Sequence, residues 1–155
     1  MNAVVNAGPL IALGKLGLID LLGRLYDPAV VPKDVHDEVV TRGIELGQPD
    51  AYAVKMALAR GDLLVVEVDI QVPGSEALVS SLHRGERAAI CLALQRGADW
   101  VLLDDELARK HARQAGLRTK GTLGVIIEAN RRKLLDPKEV EIAFQSILPI
   151  SPAGV

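Results

Sequence analysis

Residues 3–13 read Ala3-Val4-Val5-Asn6-Ala7-Gly8-Pro9-Leu10-Ile11-Ala12-Leu13. The β-branched run favours an extended strand, Asn6-Ala7-Gly8 supplies a turn, and Pro9 is pre-organised for the first position of a helix. Leu10, Ile11, Leu13 and Leu16 then follow helical spacing. A strand that turns at once into a helix opens a strand–helix–strand unit, and the same pattern repeats outward. Gly17 restarts a short helix ending near Arg24, and Ala29-Val30-Val31 reads as the second strand. Pro32 opens a helix whose Val35, Val39 and Val40 form one face. Asp50 is placed to cap a helix carrying Ala51, Val54, Ala57 and Leu58, which stops at Gly61. Leu63 to Val68 is the third strand, nearly all apolar, as buried parallel strands are.

Beyond a loop at Pro73-Gly74-Ser75 and a short helix at 76–82, the His83-Arg84-Gly85 break leads into a helix from Glu86 to Gln95 that Gly97 ends. Trp100 to Leu103 is the fourth strand, and residues 105–115 form a helix closed by Gly116. Leu117-Arg118-Thr119 is a short fifth strand, and helices at 122–131 and 137–146 follow. Strands alternating with helices predict an α/β fold with a parallel sheet covered on both faces. One domain over 1–148 is expected, with 149–155 as a short tail.

The 155 residues suffice to bury about 70% of the unfolded surface. Apolar residues at 49% and charged residues at 25% exclude a disordered chain. Four aromatic side chains, Tyr26, Tyr52, Trp100 and Phe144, are too few for a binder that works by stacking bases on rings. Cys91 is the single cysteine, which excludes an intramolecular disulfide and a multi-cysteine zinc site. Its apolar neighbours Ala89, Ile90 and Leu92 predict a buried, inert thiol. Lys15, Asp20 and Arg24 interrupt the Leu- and Ile-rich stretch from Pro9 to Tyr26, so no membrane span is expected there. Without a basic leader the expected location is cytoplasmic. The net charge of −2 hides an asymmetry. Residues 109–133 carry eight Lys and Arg against Glu128, whereas the rest has ten Lys and Arg against nineteen Asp and Glu. A basic stretch beside an acidic remainder points to a polyanion-facing surface or, more simply, to solvated helix faces.

A glycine-rich dinucleotide fingerprint, a phosphate loop and paired histidines at i, i+4 are all absent. His36, His83 and His111 are scattered and read as surface histidines. Oxygen donors at strand ends carry more. In an open parallel sheet, ligands bind outside the carboxyl ends of the strands where strand order reverses. Asn6 lies just past the first strand, and Asp104 and Asp105 just past the fourth. Glu86 enters from the first turn of one helix and Glu38 from the edge of a valine face. Such an oxygen-rich set suits Mg²⁺ or Mn²⁺. Each residue also has a structural use: Asp104 as a helix N-cap, Asp105 and Glu86 beside a helix dipole, Asn6 in a tight turn, Glu38 on a solvated edge.

Read in order, five pieces resemble the PIN-domain nucleases, in particular the branch whose first strand runs into Asp/Asn-x-x-Pro-Leu-Ile, and VapC-type toxins. The pieces are Val4 to Leu13; Val31-Pro32; Val35-His36-Asp37-Glu38-Val39; Leu82 to Ile90 around Gly85-Glu86; and Leu102-Leu103-Asp104-Asp105 through Arg109, Ala112, Gly116, Thr119 and Gly121-Thr122-Leu123-Gly124. The likeness covers about residues 3–133. It implies a three-layer α/β/α sandwich with a five-stranded parallel sheet. It also implies an acidic cluster that binds Mg²⁺ or Mn²⁺ and hydrolyses phosphodiesters, usually of RNA. Carried over by position, Asn6, Glu38, Glu86 and Asp105 fill the acidic metal-binding sites, with Asp104 adjacent and able to share the metal, and with Glu38, Glu86 and Asp105 catalytic. Arg109, Arg113 and Lys120 would hold the nucleic-acid backbone. Many such proteins are toxins paired with an antitoxin protein and form homodimers, so both partners are expected here.

This chain departs from the family at its first acidic position, where Asn6 stands for the common Asp and Ala7 follows where a hydroxyl residue is common. An amide oxygen ligates without charge, so weaker metal binding is expected, with Mn²⁺ favoured. The competing reading is a PIN-fold module that binds nucleic acid or protein with little or no catalysis. A nucleotide-binding α/β domain is a third, disfavoured by the missing phosphate loop.

Overall fold

The computed structural model describes residues 1–69 and 82–147. Strand β1 (Ala3–Val5) lies wholly buried at the centre of a five-stranded sheet. It pairs in parallel with β2 (Ala29–Pro32) through Ala3↔Ala29 and with β4 (Trp100–Leu102) through Val4↔Val101. β3 (Leu64–Val66) and β5 (Thr119–Lys120) complete the order β3-β2-β1-β4-β5, again in parallel. The chain leaves β1 toward β2 on one side and later returns to β4 on the other, so strand order reverses between β1 and β4.

Side chains alternate across the strands, which divides the core between two faces. Ala3, Val5, Val31 and Leu102 pack toward α1 (Ala7–Leu16), α2 (Leu21–Leu25), α5 (Pro49–Arg60), α8 (Thr122–Arg131) and α9 (Pro137–Ile147). Val4, Val30 and Val101 pack toward α6 (Arg84–Arg96) and α7 (Glu106–Gln114) through Ala89, Ile90, Ala93, Ala108 and Ala112. The result is the expected α/β/α sandwich. Between β2 and α5 the chain runs as one helical stretch: α3 (Lys33–His36), a π turn (Asp37–Thr41) and α4 (Arg42–Glu45), with Val35, Val39 and Val40 buried as expected.

Several local expectations are corrected. Helix α1 starts at Ala7, so Asn6 is its N-cap and Pro9 its third residue, where the missing N–H has no intrahelical acceptor in any case. Gly17 closes α1 in the left-handed conformation, φ 71°, and the next helix begins only at Leu21. Asp50 is not a cap: Pro49 takes the first helical position, and Asp50 is buried against Gly14 of α1. The third strand is three residues long, and its Leu64 and Val65 are exposed, because it lies at a sheet edge. The fifth strand falls at Thr119–Lys120, beginning two residues later and ending one residue later than expected. The helix after His83 begins at Arg84 rather than Glu86. The expected loop at 73–75 and nearly all of the helix at 76–82 lie outside the described residues, as does the tail. No described helix is long and apolar enough to cross a membrane.

Gly97 ends α6 at φ 60° with open space where a side chain would stand. Gly97→Ala therefore meets only the backbone penalty. A loss of about 1–2 kcal/mol is expected, read as a lower urea midpoint with unchanged slope.

Candidate functional site

The reversal between β1 and β4 sets the site. The Asn6 N–H donates to the Leu102 carbonyl at 3.0 Å, so the chain leaves both strands side by side. Beyond these ends opens a crevice of about 460 Å³. Asn6, Glu38, Glu86, Asp104 and Asp105, drawn from four separate stretches, all line it. The five oxygen-bearing residues singled out in the sequence thus meet in one place.

Each is held differently. Asn6 is buried as the N-cap residue of α1, yet its side chain makes no cap bond, and its Oδ1 is a buried acceptor without a partner. Glu38 is exposed and sits in the π turn, a distortion common at functional sites. A Cβ on Gly85 would stand 3.3 Å from Glu38 Oε2 and 3.7 Å from Asn6 Oδ1, so the glycine leaves open the space these two oxygens share. Glu86, in the first turn of α6, is buried, and its Oε1 accepts from the His83 backbone N–H at 3.0 Å in a capping box.

The helix cap expected of Asp104 is made by Asp105 instead. Asp105, whose extended backbone directly precedes α7, is its N-cap and accepts from the Ala108 N–H at 2.8 Å. Asp104 reaches to α8 instead, accepting from the Thr122 N–H at 2.7 Å and the Thr122 hydroxyl at 2.6 Å. Both of its oxygens are engaged, whereas Asp105 and Glu86 each use one oxygen in these bonds.

The donors fit a divalent ion of a particular kind. Among the described residues, no group of three or more His, Cys, Asp and Glu side chains is placed to hold a metal ion. Mg²⁺ and Mn²⁺ do not require such a group, since one or two carboxylates with waters and substrate oxygens complete their shells. The unpartnered Asn6 Oδ1, aimed toward the same space as Glu38, is the amide oxygen such an ion would satisfy.

Two further residues line the crevice without having been singled out. Asp34 and Arg84 form an ion pair at 3.0 Å between α3 and the start of α6. Asp34 lies four residues before Glu38, a spacing that puts both on one helical side and could have flagged it. Arg84 stays largely exposed and presents a cation at the mouth.

The cations expected to hold nucleic acid do not gather at this crevice. Arg109 pairs with Glu106 at 2.7 Å and lines an adjoining cavity of about 350 Å³ with Asp104 and Thr122. Arg113 pairs with the same Glu106 at 3.0 Å. Hydrogen bonds from these two arginines hold the Glu106 carboxyl below the usual carboxylate range. Lys120 lies half-buried against Tyr26 and Trp100, and burial pushes its ammonium below the usual lysine value.

His83 lines the crevice and His36 contacts Asp37 at 3.1 Å. Cys91 is buried, and burial pushes its thiol up, so an inert thiol is expected. Native protein should resist an aromatic disulfide reagent that labels one thiol after unfolding; rapid native labelling would contradict this.

A family model described as a PIN domain (DUF3368) matches residues 2–148. A PilT N-terminus domain protein from the hyperthermophilic archaeon Sulfolobus solfataricus P2 superposes with TM-score 0.60 at 20% identity, covering 83% of this chain and 93% of that one. A domain of a functionally unknown protein from Methanocaldococcus jannaschii superposes with TM-score 0.51 at 15% identity, covering 77% and 89% respectively. At these identities the likeness is one of fold. No curated protein matches.

Proposed function

This chain belongs to the PIN-domain family, whose members are generally nucleases that use divalent metals, and we propose that it is a Mg²⁺- or Mn²⁺-dependent endoribonuclease. The observation that carries the proposal is the crevice at the β1/β4 reversal, which five oxygen-bearing residues line and where the Asn6 Oδ1 has no partner. Glu38, Asp105 and Glu86 would hold the metal with Asn6 as a neutral oxygen donor, and Asp104 would support them from its bonds to Thr122. When bound, the ion supplies Lewis acidity at the scissile phosphate. The chain contributes the rest. Glu38, which makes no hydrogen bond among the described residues, is the carboxylate free to orient water and take its proton. Arg84 at the mouth and Arg109 in the adjoining cavity offer guanidinium groups to phosphate oxygens.

Labelled mixed-sequence single-stranded RNA, incubated with Mn²⁺ or with EDTA, tests this. Cleavage with Mn²⁺ and none with EDTA is expected. RNA retained without cleavage under either condition would favour the second reading, a binding module. That reading draws on the missing charge at Asn6 and on the engagement of both Asp104 oxygens.

A toxin role with an antitoxin partner and a homodimeric state belong to the same proposal and rest on the family resemblance. A small DNA-binding protein encoded alongside would support the first, and an isolated gene would count against it. A monomeric mass by light scattering across micromolar concentrations would remove the second.

A further inference from the structure

The basic stretch at 109–133 does converge in part, but around Trp100 rather than at the acidic crevice. The Arg118 guanidinium and the Lys120 ammonium each lie 4.1 Å from the Trp100 ring centroid. Arg131 lines the same cavity, which measures about 510 Å³. Glu128 is the one carboxylate among the described residues lining it, and it is already shared between Arg131 at 3.9 Å and Arg132 at 3.1 Å. Cations therefore outnumber acids at a concave, part-buried surface. Burial pushes the Lys120 ammonium down; Glu128 opposes that, while Arg132, Arg118 and Arg131 add to it. Two guanidinium forks and an ammonium around a hollow form a receptor for phosphate oxygens.

The surrounding surface distinguishes a strand from a lone anion. Asp104 lines both the acidic crevice and the cavity holding Arg109, and Gly124 lines both that cavity and the one at Trp100. The three hollows thus adjoin in series. Gly124 matters to the passage: a Cβ there would stand 2.5 Å from Lys120 Cγ.

We propose that Arg118, Lys120 and Arg131, gathered around Trp100, bind backbone phosphates of an RNA strand that leaves the acidic crevice past Asp104 and Gly124. The proposal rests on the ribonuclease reading for the identity of the strand, and on neither metal nor catalysis for binding. Trp100 is the single tryptophan of the chain, and a phosphate that draws Arg118 and Lys120 off its ring alters its emission. The experiment is a titration of Trp100 fluorescence in EDTA with a short mixed-sequence RNA, with adenosine monophosphate and with inorganic phosphate. Anisotropy of labelled RNA runs in parallel. Arg131→Ala is the variant, since that side chain is largely exposed and its loss leaves the core intact.

A saturable emission change with RNA is expected. In Arg131→Ala the dissociation constant should rise about three- to tenfold, and the salt slope should fall by about 0.7 for the lost contact. RNA binding seen by anisotropy without an emission change, or binding unaffected by Arg131→Ala, would overturn the subsite. Phosphate or the mononucleotide binding as tightly as RNA would overturn the strand in favour of a small phosphate ligand. Absence of RNA binding in EDTA would overturn the subsite, while the nuclease reading stands or falls on the Mn²⁺ cleavage assay. Binding with the emission change but no metal-dependent cleavage would remove the nuclease and leave the subsite standing.

Discussion

Asn6→Asp is expected to raise the affinity for Mn²⁺ by at least about tenfold, and to make the protein less stable without metal and more stable with it. Tenfold requires only about 1.4 kcal/mol, below the ~4 kcal/mol that two unit charges exchange at 4 Å near a protein surface. The substitution replaces a buried, unpartnered amide oxygen by a carboxylate at the same N-cap position, where Asp caps a helix as well as Asn does. Without metal, the new charge is buried and shares with Glu38 the space over Gly85, so it lacks compensation. With metal, ligand-linked stabilisation grows as the dissociation constant falls. Calorimetric Mn²⁺ titration and melting curves with and without Mn²⁺ measure both arms. Equal Mn²⁺ affinity in the two proteins would show that Asn6 is not part of a metal site.

Glu38→Gln is expected to lower RNA cleavage by about 10²–10³-fold, the range seen when one preorganised electrostatic contact to the reacting group is removed. The melting temperature without metal should stay within about two degrees, since exposed substitutions away from structural bonds change stability by less than about 0.5 kcal/mol. Glu38 suits this test because its side chain is exposed and makes no hydrogen bond among the described residues. Glu86→Ala is the poorer probe: it also removes the acceptor for the His83 N–H, so lost activity would mix chemistry with a frayed helix start. Unchanged cleavage by Glu38→Gln would remove this residue from the catalytic set.

Much of the fold was legible because its strands are local runs of β-branched and apolar residues punctuated by glycines. Ala3–Val5, Ala29–Val31 and Trp100–Leu102 all form as their composition suggests, and Gly61, Gly97 and Gly116 all take positive φ after helices. What misled was locally ambiguous. The run Leu63–Val68 is apolar like a central strand, and nothing in it tells that the strand lies at the edge of the sheet among the described residues. Asn6-Ala7-Gly8 has turn residues, but a helix N-terminus accepts the same residues, and neighbouring groups decide between them.

The candidate site divides in the same way. Donor types and their positions at strand ends can be read along the chain, since a residue just past a strand must lie at that strand's end. Which donors remain free cannot. Asp104 and Asp105 are adjacent and chemically alike, yet Thr122, eighteen residues from Asp104, takes both oxygens of one, while the Ala108 N–H takes one oxygen of the other. Likewise the basic stretch announces its charge but not its address. The fold turns Arg109 and Arg113 onto Glu106 and gathers Arg118, Lys120 and Arg131 around Trp100. The sequence by itself determined the alternation of elements, the parallel sheet and the oxygen-bearing residues Asn6, Asp104 and Asp105 just past strand ends, because these follow from local conformational preference and hydrophobic period. Only the tertiary structure decided the strand order, the free oxygens and the pairing of each charge, because these depend on contacts between residues far apart along the chain.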